Sequence, residues 1–481
     1  MPTRPNLITF TNTSVDVLNA IRNDASQDYK NYVPFATADG DVIRTIGATL
    51  MDYPELQNEF LQALVNRIAR VLVTSKMYRN PWEMFKQGRM DYGETIEEVY
   101  VDLCKVHQFD PVTAENKVFA REIPNVRSAF HVLNYQKFYK QTIGEQELKR
   151  AFLSIEGVND LISKIVEGMV TAAAYDEFLV MKFMLQYRMA IGAMHPVHLT
   201  AEGNGVSHAD AVKGDAEVFK AMSNKLTFLS PNYNLAGVYN ATEKSKQYLI
   251  IDTDFDAAMD VQVLATAFNM EKAEFMGHRI LIDSFGTVDV ARLDEIFNND
   301  DASNPALDPN YSRMKLAMGI QSDGTISALS GVKAVLVDEE FWKVFDNLDT
   351  TETMRNPEGL YMNYWYHVAK TFSVSPFANA IAFSETALTV TAVSVSPSTA
   401  TVLPTAGLQI PFSATVTAAG ITPKSVVWSL STNAPATIDQ RGVVTLTSDA
   451  KDGDTITVTA TSTYDSTATD TATITVDDGE E

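Results

Sequence analysis

A step in residue usage near position 388 splits the chain into two parts that call for different folds. All 18 methionines precede it. Residues 389–481 carry 32 serines and threonines, with one phenylalanine, one tryptophan and one tyrosine. A step of this kind marks a domain boundary better than any single linker residue does. After it come TVTAVSVSP, GLQIPFSATVTA, KSVVWSL, GVVTLTS, DTITVTATST and TATITV. These are short β-branched runs of period two, separated by Gly, Pro, Asn and Asp. Roughly seven strands in this length predict a Greek-key sandwich, with Trp428 packed between its sheets. Such a module has its own core, so deleting Ala392–Glu481 is expected to leave the remainder folded, and the module is expected to lie outside any assembly. The connection around Ser384–Thr391 is then expected to be open to protease.

The front part mixes helices and strands. Leu56, Phe60, Leu64, Ile68 and Leu72 fall at four-residue steps and predict a helix over Pro54–Val73. Turn signals at Asn80-Pro81, Gln87-Gly88 and Tyr92-Gly93 open an extended, hairpin-like excursion over Pro81–Thr142. Leu161, Ile165, Met169, Ala173, Phe178, Met181 and Leu185 then keep one helical stripe over Val158–Ala190, with no proline inside. At ~1.5 Å per residue this is a rod of roughly 45 Å. From Gln247 short strands (YLIIDT, HRILIDSF, VKAVLVD) alternate with helical segments. The polar stretch Asn298–Arg313 reads as a surface loop.

Charge narrows the function. The front holds 35 basic and 51 acidic residues and the tail 3 and 10, which gives 38 against 61 and a net charge of −23. Gripping nucleic acid or anionic lipid needs clustered Lys and Arg, so both are disfavoured. No stretch reaches the ~18 apolar residues of a membrane span. The first residues lack a charged segment followed by an apolar run, so a protein of the cytoplasm without a secretory signal is expected.

No catalytic or metal-binding constellation stands out. Cys104 is the only cysteine; with His107 three residues on it lacks further ligands and reads as a structural thiol. His195 and His198 have only Glu202 as a nearby third ligand. Gly203-Asn204-Gly205 lacks the Lys-Ser/Thr of a phosphate loop. Asp252, Asp254, Asp256 and Asp260 lack the glycine and terminal glutamate of a calcium loop and read as a helix-capping segment. No cofactor and no metal is implied. Gly359–His367 places Tyr361, Tyr364, Trp365 and Tyr366 within six positions. It reads as a core strand covered on both faces or, less strongly, as an interface.

Several long segments resemble the major capsid protein of phi-29-type short-tailed phages of Gram-positive bacteria. They are DVLNAIRND, YVPFATAD (32–39), TIEEVYVDLCK (95–105), AREIPNVRSAFH (120–131), FYKQTI (138–143), ATAFNMEKAEFMG (265–277) and ETMRNPEGLYMNYWYHVAKTFSVSPFANAIAF (352–383), in the family's order. The tail, through SVSPSTATV, VVWS, RGVVTLT and TITVTAT, resembles the bacterial immunoglobulin-like group-two module. The resemblance implies an α+β Hong-Kong-97-type capsid fold over 1–388, followed by an all-β immunoglobulin-like sandwich over 389–481. Its parts would be an N-terminal arm (1–53), an extended loop (about 81–142), a spine helix (about 158–190) and an axial region (about 247–375).

The implied role is structural. Copies would associate as pentamers and hexamers in an icosahedral or prolate shell, with scaffolding protein, portal (connector) and possible head fibres as partners. Packaged DNA would be near an acidic inner wall that repels it. Lys86, Arg89 and Tyr92, beside Met90 near the extended loop's tip, and Tyr364, Trp365 and Tyr366 are the candidate contacts between subunits. A bacterial cell-surface adhesin or wall-binding protein with the same kind of tail is the alternative, and an enzyme with such an appendage lacks a site.

Overall fold

The computed structural model describes residues 10–37, 39–53, 55–56, 59–60, 78–90, 95–107, 109, 121–144, 155–200, 206–261, 278–298 and 308–478. The helices are α1 (Phe10–Asp24), α2 (Gln27–Tyr32), α3 (Gly40–Asp52), α4 (Ile155–Ala190), α5 (His208–Lys225), α6 (Thr253–Met259), α7 (Val290–Ile296) and α8 (Pro309–Met318). The strands before the compositional step are β1 (Lys86–Arg89), β2 (Ile96–Val101), β3 (Val126–His131), β4 (Tyr135–Gly144), β5 (His195–His198), β6 (Gln247–Asp252), β7 (His278–Ile282), β8 (Val332–Asp338), β9 (Trp342–Asn356), β10 (Tyr361–Val374) and β11 (Ala380–Ser384). After it come β12 (Val390–Ser396), β13 (Thr399–Val402), β14 (Gln409–Pro411), β15 (Ser413–Ala418), β16 (Val426–Leu430), β17 (Ala436–Ile438), β18 (Val443–Leu446), β19 (Thr455–Ser462) and β20 (Thr469–Val476).

The chain forms two compact units, one of residues 1–96, 130–181 and 343–373, the other of 97–129, 182–342 and 374–481. Helix α4 runs through the division. It is 36 residues long, about 54 Å at ~1.5 Å per residue, and starts three residues before the stripe suggested.

In the first unit a sheet of order β1-β9-β10-β4 is formed. Strands β10 and β4 pair antiparallel from Tyr361↔Gly144 to Lys370↔Tyr135. With a side-chain period of two, Met362, Tyr364 and Tyr366 share one face with Ile143 and Tyr139. That face packs with Met169 of α4 and with Leu18, Ile21, Tyr29, Ile43, Ile46 and Leu50 of the first three helices. Residues 1–53 therefore contain core helices, which their sequence did not announce. Their ends are marked by caps: Ser26 Oγ accepts from Tyr29 N at 3.2 Å, and Asp39 Oδ1 accepts from Asp41 N at 3.0 Å. The helix expected over Pro54–Val73 falls mostly outside the described residues; 55–56 and 59–60 are helical.

The second unit holds a mixed five-stranded sheet of order β5-β11-β8-β6-β7. Its near-continuous apolar strands, such as KAVLVD, are buried on both faces. Phe219 of α5, Phe255 of α6 and Phe383 of β11 form one aromatic cluster against it. Asp252 caps α6 by accepting from Asp254 N at 3.0 Å, as its run of aspartates suggested. Asp256 and Asp260 bind Arg279 at 2.9 and 3.1 Å. Part of the expected 298–313 loop is helix instead: Asp308 caps α8, with proline at its start.

Strands β12–β20 form sheets of order β12-β15, β13-β20-β19-β16 and β14-β18-β17. Trp428, Phe412, Val444, Ile456, Val458 and Ile474 fill the core between them. The connection to this part is not open chain. Ser384 is fully buried in β11, Glu385 N donates to Gly331 O at 2.9 Å, and Glu385 pairs with Lys333 at 3.3 Å. The expected protease-sensitive linker thus begins inside a sheet.

Candidate assembly surface

Lys86 opens β1, and the parallel pairing of β1 with β9 sets it opposite Val344. Its Nζ lies 2.6 Å from Asp346 Oδ2 and 3.2 Å from Glu177 Oε2. Lys370 of β10 reaches the same Glu177 carboxylate and lies 3.4 Å from Asp346. Asn80 Nδ2 donates to Glu177 Oε1 at 2.6 Å. Two ammoniums and two carboxylates thus neutralise one another where α4 meets the sheet. Burial pushes the Glu177 carboxyl up, and Lys370 and Lys86 more than reverse it, so it sits below its ordinary range. Asp346 is held low in the same way. Burial pushes the Lys86 ammonium down, and Glu177 and Asp346 carry it back above its usual value.

Lys86 therefore faces inward rather than standing at an exposed loop tip. Arg89, three residues on, is exposed. Met90 is buried, its N–H donating to Asp346 O at 2.8 Å. Tyr92 lies outside the described residues.

The aromatic run divides by strand alternation. Tyr364 is fully buried in the first unit's core, and Tyr366 packs against that core beside Tyr139, ring centroids 6.2 Å apart. Trp365 points to the other face, where Lys140 Nζ sits 5.5 Å from its ring centroid. Phe138 and His367 pack beside it with tilted rings, centroids 5.6 Å apart, and Phe138 stays half exposed. Two of the three aromatics are core, and one belongs to an open sheet face.

The extended excursion carries the most exposed apolar surface. Strands β2 and β3 pair as a two-stranded ribbon. On it and its flanks Val99, Val101, Leu103, Val106, Phe109, Ile123, Val126 and Phe130 are all more than half exposed. Val106 reaches 97%, Phe109 91% and Ile123 89%. The spacing of exposed apolar residues had no signature in the sequence, because strand alternation alone reads as a half-buried strand. Cys104, expected as a structural thiol, is exposed on this segment. His107 Nε2 lies 3.0 Å from a Glu122 carboxylate oxygen. A two-stranded ribbon with apolar side chains in water gains stability only when another surface covers it.

His195 and His198 lie on β5, and His195 stacks edge-on against Tyr233 at 5.0 Å; Glu202 and the 203–205 glycine segment lie outside the described residues. Among the described residues, the one group of three close potential metal ligands is Asp452, Asp477 and Asp478, all exposed. No described helix is long and apolar enough to cross a membrane.

Comparison with known proteins agrees with an assembly role. The family profile for phi29-like phage major capsid protein matches residues 18–384. The major capsid protein of Bacillus phage PZA is 36% identical over 420 residues, 87% of this chain and 83% of that protein. That of Bacillus phage B103 is 35% identical over 92% of this chain and 89% of its own length. The capsid structure of Staphylococcus phage Andhra aligns with 66% of this chain and 86% of its own at a TM-score of 0.49 and 16% identity. With the profile spanning most of its length and both relatives matched over more than four-fifths of each chain, this chain belongs to the phi29-like phage major capsid protein family.

Proposed function

We propose that copies of this chain close into the phage head shell around packaged double-stranded DNA through the Hong-Kong-97-type arrangement. In this reading α4 is the spine helix, the 81–142 excursion is the extended loop that reaches over a neighbouring copy, and 247–375 supplies the axial region. Residues 1–388 form the capsid domain and 389–481 an immunoglobulin-like group-two domain. Scaffolding protein, a portal or connector and head fibres would be the other partners, and DNA would meet only a repelling inner wall. The relatives are named as capsid proteins, which leaves the adhesin reading without support.

The observation that carries the proposal is the apolar chain flanking the ribbon: Val106, Phe109 and Ile123 are each about nine-tenths exposed. Obligate interfaces have apolar centres, and a ring contact supplies a cover for each ribbon from the next copy. Of the exposed charges, Arg89 is the contact this reading retains, and Trp365 with Lys140 and Phe138 is the open sheet face that a neighbour covers. Replacing Val106, Phe109 and Ile123 together by Asp tests it. Circular dichroism and monomer melting should stay as in the wild type, since exposed substitutions change stability by about 0.5 kcal/mol or less each. Sedimentation should show the shell fraction lost. Shells formed at normal yield would remove the ribbon from the interface.

A further inference from the structure

The last carbonyls of α4 are accounted for one by one. Ile191 N donates to Tyr187 O at 3.1 Å, Ala193 N to Arg188 O at 2.9 Å and Gly192 N to Met189 O at 2.9 Å. The Ala190 carbonyl takes its hydrogen bond from Lys424 Nζ at 2.8 Å, a donor 234 residues further along the chain. Helix C-termini leave carbonyls without intrahelical partners and carry the negative end of the helix dipole, so an ammonium suits that position on both counts.

The backbone shows the same docking from the other side. Gly192 has φ +69°, where a side chain is strained, and a Cβ on it would lie 2.5 Å from Thr422 O and 2.7 Å from Pro423 Cα. Glycine is thus required twice, by its own turn and by the approach of the 419–425 loop between β15 and β16. Within that loop Ile421 and Thr422 are buried to 1% and 0% exposure. Gly420, φ +55°, would place a Cβ 3.2 Å from Thr386 Cγ2. Ala419 N donates to Thr389 O at 2.9 Å, tying the loop to the entering chain. Burial lowers the Lys424 ammonium pKa, as a cation withdrawn from water requires.

We propose that the C-terminal β module is an intramolecular brace: its 420–424 loop caps the long helix through Lys424, so that the helix end and the loop open to solvent together rather than as separate bodies. The end of α4 and the turn that follows it, Ala190–Gly192, are then a binding site for this chain's own tail. Composition alone suggests a bead on a string, because it reports what fills each core and not what lies between cores.

Hydrogen exchange of the full-length chain, followed on peptides covering 187–193 and 419–425, tests this. In the wild type the two peptides should exchange at matching rates. Lys424→Met, which keeps the stem and removes the ammonium, should raise exchange at 191–193 about tenfold, the size of a partly buried charge at a helix terminus. Gly192→Ala should raise both peptides together. Gly453→Ala, at φ +82° with nothing within 4 Å of its Cβ, should leave 187–193 unchanged and so separates docking from glycine strain. Where Gly192→Ala does not fold, Lys424→Met decides. Unchanged exchange at 191–193 in Lys424→Met, or wild-type peptides opening at unrelated rates, would overturn the proposal.

Discussion

Asp215 on α5 is 1% exposed, and only its Oδ1 is engaged, accepting from Thr200 N at 2.9 Å. Among the described residues its Oδ2 has no hydrogen-bond partner. Burial pushes the carboxyl from its ordinary 3.8 up to about 6, with the Thr200 N–H drawing it back and Glu385 adding to it. The fold therefore prefers the protonated form. Its contribution is complete below pH ~4 and is lost as pH rises through about 6. Asp215→Asn keeps the acceptor for Thr200 and cannot ionise. It should be more stable than the wild type at pH 7.5, by about 3 kcal/mol at ~1.4 kcal/mol per pH unit. Denaturant unfolding should show that difference vanish near pH 4; an equal gain at both pH values would assign it to packing. The Lys86 cluster behaves oppositely at its carboxylates: Glu177 and Asp346 sit low, so their stabilisation is present above the ordinary carboxylate range and fades in stronger acid. Lys86→Glu would set a third carboxylate beside Glu177 and Asp346 and should destabilise the monomer by about 3 kcal/mol. Arg89→Glu, at an exposed position, should leave melting unchanged and lower shell yield at low salt, with partial recovery at high salt. Monomers equally unstable in both variants would show that Arg89 is structural too. Nothing near Lys86 in sequence could announce its inward role, because its partners are Glu177 of α4 and Asp346 of β9, 91 and 260 positions away.

At the scale of elements, periodicity carried as far as one-sided burial carries. Helix α4 was legible because a 36-residue helix repeats its stripe many times. The strands of both sheets were legible where β-branched runs are bounded by turns. The first three helices were not, since each is short and their apolar residues are shared with aromatic and polar positions such as Tyr29 and Asn19. Asn19 itself locks the segment, donating to Ala36 O at 2.9 Å and accepting from Ala36 N at 2.7 Å. Helix α4 should be the element least tolerant of interruption. Met169 is buried against the first helices and the β10 face. Met169→Pro removes a backbone donor mid-helix, clashes with the preceding turn and empties a core position, costing more than ~3 kcal/mol. Soluble protein is expected to be lost, or helical circular dichroism to fall sharply. Normal shells from this variant would place the helix elsewhere.

The whole molecule carries a net charge of −23, and a shell brings many such copies into contact. Composition puts the expected change of architecture at 388, while packing joins the tail to residues 97–129 and 182–342 in one compact unit. Residue usage follows which side chains suit a β core, whereas the compact unit follows where chain segments rest. Like charge on every copy opposes association, and the opposition is long-ranged at low salt, with a screening length of ~30 Å at 0.01 M against ~3 Å at 1 M. Apolar contact across the ribbon does not weaken with salt and is modestly strengthened by excluded salts. The balance predicts that the protein concentration needed for shell formation falls as sodium chloride rises from 0.05 to 0.5 M. Sedimentation of the wild-type chain across that range measures it. A threshold that rises with salt would mean that opposite-charge pairs between copies, Arg89 first among them, outweigh the apolar ribbon in holding the shell together.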